Sequence, residues 1–364
     1  MNIQLADDTI IKVKQPEKII ADPALAAQAV KLLYVNDAQE GIRRVAAGKG
    51  FRYVYKNKTV KDKSILERIR KLAIPPAWEN VWICASEHGH LQATGTDARK
   101  RKQYKYHALW NELRNQTKFY RMLQFGQTLP SIRKKVAEDL SLSGMPREKV
   151  LAAVVALMEK TSIRIGSGIY EKMYGSFGLT TLKNKHVNVN GSKVKFTFKG
   201  KKGIEHDISI KSKKLATIVR HCLDIPGKEL FQYYDEKNER QSIDSGMVNE
   251  YIRTICEADF TAKDFRTWTG TVQALVALCE AGPCNSVSET KKKILEVLDK
   301  VAGHLGNTRT ICKKYYVHPL LLDMYENNKL EKYQQKLKAI KTDEDIITGM
   351  NPVEKLLLDI LKAA

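Results

Sequence analysis

The spacing of apolar residues changes along the chain from the alternation of strands to the three-to-four-residue repeat of helices. Between Gly48 and Tyr106, short alternating runs predict strands. These runs cover residues 51–55, 81–84 and 90–94. A helix predicted over 62–72 interrupts them and stops before Pro75. The pattern predicts a β-rich domain over residues 46–115, after an extension over 1–45 that carries one helical segment around 23–33.

Beyond His107 the apolar spacing is mostly helical. Helices are predicted from Pro146 and over 211–223, 246–258, 263–281 and 288–304. A β interlude separates them, because Asn190-Gly191 is a hairpin signal and Gly200–Gly203 supplies a second turn. The predicted class is α+β: a small β-rich domain, then a larger, mainly helical domain over 118–364 with a three-stranded β meander. We expect residues 320–364 to form one or two exposed amphipathic helices.

The charge balance narrows the choice of partner. The 364 residues include 62 Lys and Arg against 41 Asp and Glu, a net charge of +21. Such an excess is typical of proteins that bind a polyanion. The chain has no lipidation signal and no long basic amphipathic helix with an aromatic face. We therefore expect nucleic acid, and not a membrane, as the partner.

Cysteine use and apolar runs indicate the compartment. The six cysteines form no CxxC pair and suit a reducing environment. The N-terminus lacks the features of a secretory signal, and the longest apolar run, 151–158, is too short to span a bilayer. We expect a cytoplasmic protein, associated with the nucleoid in a prokaryote.

Candidate chemistry lies between Gly303 and Pro319, where His304 precedes Tyr316 by about a dozen residues in basic surroundings. The phenol of tyrosine has a pKa of about 10 and is a poor nucleophile unless cations stabilise the charge that develops. A phosphodiester is the electrophile that best uses such cations. The stretch predicts a tyrosine aimed at a DNA phosphate; the alternative is a helix end with two packed tyrosines, Tyr315 and Tyr316.

Metal-free cleavage of DNA also needs donors for the phosphate oxygens and an acid for the leaving 5′-oxygen. Arg164 and Arg266 are the candidate donors, with His304 beside them, and Lys201 on a hairpin turn is the candidate acid. Arg164 could instead be a surface residue, Lys201 a solvated turn lysine, and His304 a partner of its helix dipole. Arg266 lies in an apolar helix, where a buried arginine needs a partner.

No nucleotide or metal site is predicted. Gly41 to Gly50 resembles a phosphate-binding loop, but six residues separate its first two glycines and Gly50 replaces the Ser or Thr that the motif requires. No cluster of carboxylates offers a two-metal centre. We therefore expect no cofactor.

A basic strip in the β-rich domain is the candidate clamp on duplex DNA, and the alternative is an ordinary basic loop. Its lysines and arginines suit phosphates, and its glutamine and tyrosines suit base edges or stacking. The candidate DNA-binding residues of this strip are Arg101, Lys102, Gln103, Tyr104 and Tyr106.

Several motifs resemble those of the type IB DNA topoisomerases in their poxvirus and bacterial branch. They include Pro75-Pro76-Ala77-Trp78, the strip 92–107, Ile163-Arg164-Ile165-Gly166, Phe198-Lys199-Gly200-Lys201, Lys263-Asp264-Phe265-Arg266-Thr267 and Tyr316-Val317-His318-Pro319. The resemblance runs from about Gly48 to Pro319. It implies a catalytic domain of the tyrosine recombinase/topoisomerase IB type in a monomer that closes on duplex DNA as a clamp.

The resemblance also implies roles for single residues. The catalytic set would be Arg164, Lys201, Arg266, His304 and Tyr316. Lys263 would lie near the scissile phosphate and Tyr170 on the DNA backbone, while Ser167 stands where poxvirus members carry a lysine. The implied activity is relaxation of supercoils through a 3′-phosphotyrosyl intermediate and strand rotation, without ATP or metal.

Two residue assignments and two other functions stay open at this level. Tyr315 adjoins Tyr316 and Lys202 adjoins Lys201, so either assignment could shift by one. A tyrosine recombinase would share the constellation, but recombinases usually carry histidine at the place of Lys263. An architectural DNA binder would explain the charge and leave the five ordered residues unexplained.

Overall fold

The computed structural model describes residues 2–4, 10–12, 22–48, 50–98, 102–338 and 348–363. The chain divides into two compact units, Met1–Arg121 and Met122–Ala364. Strands dominate the first unit and helices the second, which confirms the predicted mixture of helices and antiparallel strands. No helix in the described ranges is both long and apolar enough to cross a membrane.

The first unit is built on a six-stranded antiparallel sheet. Its strands are β3 (Ile42–Ala47), β4 (Gly50–Tyr55), β5 (Lys58–Thr59), β6 (Glu79–Ile83), β7 (Leu91–Thr96) and β8 (Lys102–Tyr106), in the order β5-β4-β3-β6-β7-β8. A separate pair joins β1 (Asn2–Gln4) and β2 (Ile10–Lys12), and the helices are α1 (Pro23–Ala29) and α2 (Lys63–Lys71). Asp62 caps α2 by accepting the N–H groups of Ser64 and Ile65, which confirms the predicted helix.

The second unit is mainly helical. A long helix, α3 (Ala108–Asp139), runs into it from the first unit. The other helices are α4 (Arg147–Thr161), α5 (Gly168–Tyr174), α6 (Lys213–Asp224), α7 (Ser245–Cys256), α8 (Ala262–Ala281), α9 (Val287–Leu305), α10 (Arg309–Tyr315), α11 (Pro319–Glu326), α12 (Glu331–Lys338) and α13 (Pro352–Lys362). The four helices predicted between residues 211 and 304 are confirmed to within two residues at each end.

The β interlude forms a three-stranded antiparallel sheet. Its strands are β9 (Val187–Asn190), β10 (Lys193–Lys199) and β11 (Glu205–Lys211), with β10 in the centre. Val194, Phe196 and Phe198 alternate along β10 and are buried, while a short 3₁₀ turn, Lys201–Gly203, joins β10 to β11. A small pair, β12 (Gln232–Tyr234) and β13 (Arg240–Ser242), lies apart.

The expectation of one or two exposed helices over 320–364 was wrong. The described part of this segment holds three helices, of which α11 buries Leu321 and Tyr325, and α13 is the most extensively buried. Leu356, Leu357 and Ile360 are buried, and Glu354 accepts hydrogen bonds from Arg133 and from Trp268 Nε1. The amphipathic pattern revealed the apolar face but not its place of docking. Arg133 also donates to Glu159, so one guanidinium pairs with two carboxylates inside the unit.

This ion pair leads to a prediction about stability. Burial opposes ionisation of Glu354, but Arg133 outweighs it and lowers the pKa of Glu354 below its ordinary 4.5. The pair should therefore stabilise the fold above about pH 4.5 and lose that effect as the pH falls further. Glu354→Gln should lower the free energy of unfolding by about 1–3 kcal/mol at pH 7, and by less at pH 4.

Urea unfolding at both pH values measures this difference. Glu280→Gln is the matched control, because Glu280 pairs with Lys300 on the surface and both side chains are more than half exposed. Its effect should stay below about 1 kcal/mol. An equal loss in the Glu354 variant at both pH values would contradict the prediction.

Candidate active site

A cleft of about 510 Å³ in the second unit contains most of the predicted catalytic residues. Arg164, Lys201, Arg266 and Tyr316 all line it, and Lys263 lies in the same wall. These residues come from the segment after α4, the β10–β11 turn, helix α8 and the end of α10. Folding therefore brings together groups that are more than 150 residues apart in the sequence.

Arg164 is held in place by the loop that follows α9. Its Nη2 donates to the carbonyl of Gly306 at 2.9 Å and to Oδ1 of Asn307 at 2.7 Å. Burial, and then the positive charge of Arg266, lower the pKa of Arg164 to about 10. The guanidinium is thus still a cation at neutral pH, in surroundings that disfavour its charge.

Arg266 is buried on α8 and is bound to backbone oxygens. It donates to the carbonyl of Ser162 through Nη1 and to that of Leu305 through Nη2, the latter at 2.7 Å. Its Nε is buried and has no hydrogen-bond partner among the described residues, and burial lowers the pKa of its guanidinium. Among the described residues, no carboxylate forms an ion pair with Arg164 or Arg266.

Tyr316 lies against Arg266 directly after α10. The Cζ of Arg266 is 5.4 Å from the centroid of the Tyr316 ring, and Thr271 Oγ1 donates to the Tyr316 carbonyl at 3.1 Å. Tyr315 also lines the cleft, but the cation over its ring is Lys314. The two adjacent tyrosines therefore differ in the cation that each ring contacts.

The lysines of the β10–β11 turn form another part of the cleft wall. Lys201 and Lys202 both line the cleft and are exposed, and Lys202 has a left-handed backbone with φ of 63°. The choice between the two lysines therefore rests on the resemblance and not on position. Lys263, near the start of α8, is exposed in the same cleft.

His304 is connected to the site through Ser162 and is not among the residues that line the cleft. Its Nε2 lies 3.2 Å from Ser162 Oγ, and either atom can be the donor. Desolvation, and then the charge of Arg266, lower the pKa of His304, so the ring is neutral at pH 7. A neutral ring still has one N–H to donate.

Three residues of the site were missed at the sequence level: Ser162, Asn307 and His206. Ser162 ends α4 in a left-handed conformation with φ of 55°, so its carbonyl can meet Arg266 while its hydroxyl meets His304. Asn307 anchors Arg164. His206 packs against Gly200 and Gly306. Serine and asparagine are ordinary cap and turn residues, so no sequence signal separated them from structural positions.

The predicted DNA-binding residues of the first unit lie on β8, except Arg101, which is outside the described residues. Lys102 pairs with Asp37 at 2.6 Å, and Gln103 donates to Asp97 at 3.0 Å. The rings of Tyr104 and Tyr106 stack with centroids 6.0 Å apart, and Tyr104 is 48% exposed. Tyr106 packs against the core of the first unit, so the exposed ring of Tyr104 is the member of this pair that is suited to contact with nucleic acid.

In the second unit, Tyr170 stands on α5 and is not part of the cleft wall. It is 48% exposed and stacks on Tyr174 with centroids 6.0 Å apart. Its phenol therefore has access to a ligand at the surface.

Comparisons with known proteins cover most of the chain. Residues 100–344 match the family described as eukaryotic DNA topoisomerase I, catalytic core, and residues 50–97 match bacterial DNA topoisomerase IB, N-terminal domain. DNA topoisomerase 1B of Acanthamoeba polyphaga mimivirus is 31% identical over 298 residues, which are 79% of this chain and 88% of the relative.

A poxvirus relative is more distant. DNA topoisomerase 1B of vaccinia virus (strain Copenhagen) is 24% identical over 235 residues, 64% of this chain and 72% of the viral protein. Residues after 344, including α13, lie beyond the family match.

Proposed function

The chain belongs to the type IB DNA topoisomerases, enzymes that relax DNA, and from this premise we propose that it cuts one strand of duplex DNA through Tyr316. The cut forms a 3′-phosphotyrosyl intermediate, the free strand rotates, and the reverse reaction reseals it. Arg164, Lys201, Arg266 and His304 are the other members of the proposed catalytic set.

One observation carries this proposal: two arginine cations meet in a cleft without a carboxylate to balance them among the described residues. A buried charge without a counter-ion is costly to fold, so such a pair is suited to an anion that arrives from outside. The Nε of Arg266, for which the described ranges offer no acceptor, is a further donor. A DNA phosphate supplies the missing charge and the acceptors.

The proposed step exchanges one ester of phosphate for another. The Tyr316 phenol loses its proton to solvent water and its oxygen bonds to phosphorus, while the bond from phosphorus to the 5′-oxygen breaks. Lys201 donates a proton to that 5′-oxygen, which would otherwise leave as a strongly basic alkoxide. Arg164, Arg266 and His304 stabilise the charge that develops on the non-bridging oxygens.

The proposed chemistry sets the cofactor requirement. Because a phosphodiester link is kept throughout, the cycle should need neither ATP nor a metal ion.

DNA contacts are proposed in both units. The backbone near the cut would be contacted by Lys263 and Tyr170, and the first unit would bind the duplex through Lys102, Gln103, Tyr104 and Tyr106. Lys102 would exchange Asp37 for a phosphate. We infer a monomeric, cytoplasmic clamp on duplex DNA.

The proposed fold of the second unit is the tyrosine recombinase/topoisomerase IB layout with a three-stranded meander. Its support is the antiparallel sheet whose strands β9, β10 and β11 lie in chain order among helices. The β10–β11 turn of that sheet carries Lys201 into the cleft.

Relaxation of closed circular plasmid tests the function. With chelator and without nucleotide, the purified protein should change the linking number of plasmid DNA that lacks any paired target site. Denaturant should trap a covalent adduct, and peptide mapping should place the DNA on Tyr316. Unchanged linking number would contradict topoisomerase activity, whereas an adduct on Tyr315 would move only the nucleophile.

A further inference from the structure

His206 lies between the turn that carries Lys201 and the loop after α9 that anchors Arg164. It pairs with Phe198 across β10 and β11, and the two rings stack with centroids 4.9 Å apart at 21°. The ring is half-buried. Its position is thus set by the sheet and not by a flexible loop.

One edge of the His206 ring packs on Gly200, the residue before Lys201. A Cβ at Gly200 would lie 2.5 Å from Cδ2 and 2.6 Å from Nε2 of His206. The φ of Gly200 is −92°, which any residue can adopt, so close approach of the ring is the constraint that excludes a side chain here.

The ring also reaches the loop after α9. A Cβ at Gly306 would lie 2.9 Å from Cε1 of His206, and the Gly306 carbonyl is the oxygen that accepts from Arg164. No side chain among the described residues forms a hydrogen bond or ion pair with Lys201, which is exposed. The turn around it closes through the Gly200 N–H to the Ile204 carbonyl at 2.7 Å. Packing between two glycines therefore connects the turn to the rest of the site.

The positive charges near the His206 ring indicate that this residue acts by packing and not by transferring a proton. Burial, and then Arg164 and Arg266, lower the pKa of His206, so the ring is neutral at pH 7. A neutral imidazole adds no third cation to the pair of arginines and holds no spare proton for a leaving group. Its contribution is the shape of the ring.

We propose that His206 is a positioning residue that holds the Lys201 turn over the cleft, so that Lys201 can donate its proton to the leaving 5′-oxygen. This inference rests on the proposed role of Lys201. A residue that acts only through the acid should affect only those reactions that need an acid.

A change of leaving group tests this. Single-turnover cleavage is measured on a duplex with oxygen or with sulfur at the bridging 5′ position, at a site first mapped with the wild-type enzyme. A thiol of pKa about 8.5 leaves as thiolate without an acid. His206→Ala should cleave the oxygen substrate roughly 10-fold or more slowly, and the sulfur substrate within a few-fold of wild type.

Three variants sharpen the result. Gly200→Ala places a methyl group against the His206 ring and should displace the Lys201 turn. This variant should therefore also cleave the oxygen substrate slowly and the sulfur substrate at nearly the wild-type rate. In the double variant Gly200→Ala/His206→Ala the imidazole ring is absent, so the added methyl group has room. Its cleavage rate should be little lower than that of His206→Ala alone. His186→Ala is the matched control, because this buried histidine also packs on a phenylalanine, Phe177, whereas the ring that a Cβ at Gly200 or Gly306 would meet is that of His206; it should cleave both substrates at near wild-type rates.

Lys201→Ala distinguishes a failure of the positioning role of His206 from a failure of the acid role of Lys201. If sulfur restores Lys201→Ala but not His206→Ala, the positioning role is overturned and the proposed acid stands. If sulfur restores neither, the assignment of Lys201 fails and the inference fails with it. An unaltered rate for His206→Ala on the oxygen substrate also overturns it. A merely unstable variant would slow both substrates alike.

Discussion

Replacing Tyr316 with phenylalanine should reduce plasmid relaxation by roughly 10⁴-fold or more, because it removes the oxygen that attacks the phosphate. The ring remains, so its contact with Arg266, 5.4 Å from centroid to Cζ, should survive. DNA binding should therefore stay within about threefold of wild type, since phosphate contacts by cations dominate affinity. Gel-based relaxation and a filter-binding assay measure the two quantities.

Tyr315→Phe is the matched control, since the neighbouring tyrosine lines the same cleft but has Lys314 over its ring. It should relax DNA at close to the wild-type rate and still form the covalent adduct. Relaxation retained in the Tyr316 variant and lost in the Tyr315 variant would move the nucleophile by one residue.

Arg266→Ala should lower the single-turnover rate of cleavage by about 10²–10³-fold, the usual effect of removing a donor that stabilises charge in the transition state. Arg266→Lys should be nearly as slow. An ammonium cannot reproduce a planar fork that binds the carbonyls of Ser162 and Leu305 while facing the cleft. Rapid-quench measurement of covalent adduct formation gives the rate.

Arg133→Ala is the informative contrast. Both arginines are buried, but in the part of the chain that the structure describes only Arg133 is paired with carboxylates, those of Glu159 and Glu354. Its loss leaves two acidic groups without their partner and should destabilise the fold by about 3–5 kcal/mol. Loss of Arg266 removes an unbalanced cation and should cost less stability. Urea unfolding compares them, and a greater destabilisation by Arg266→Ala would contradict this assignment of roles.

Local elements were predictable from the sequence because their causes are local. The helix at 63–71 follows an aspartate cap and ends before two prolines, and the β10–β11 turn carries two glycines. The location of Arg266 in an apolar helix also indicated burial, and the structure places its side chain at 5% exposure. The five candidate residues were grouped by family resemblance, since no periodicity connects them.

The partners of these residues were decided only by tertiary structure. The apolar helix predicted that a buried Arg266 would need a partner. In the fold its described partners are two backbone carbonyls and not a carboxylate, so the positive charge stays available to a ligand. Any backbone offers carbonyls, so composition cannot reveal which ones converge. The same reason hid the docking of α13 and the packing of His206 on Gly200, because both depend on contacts between segments distant in the chain.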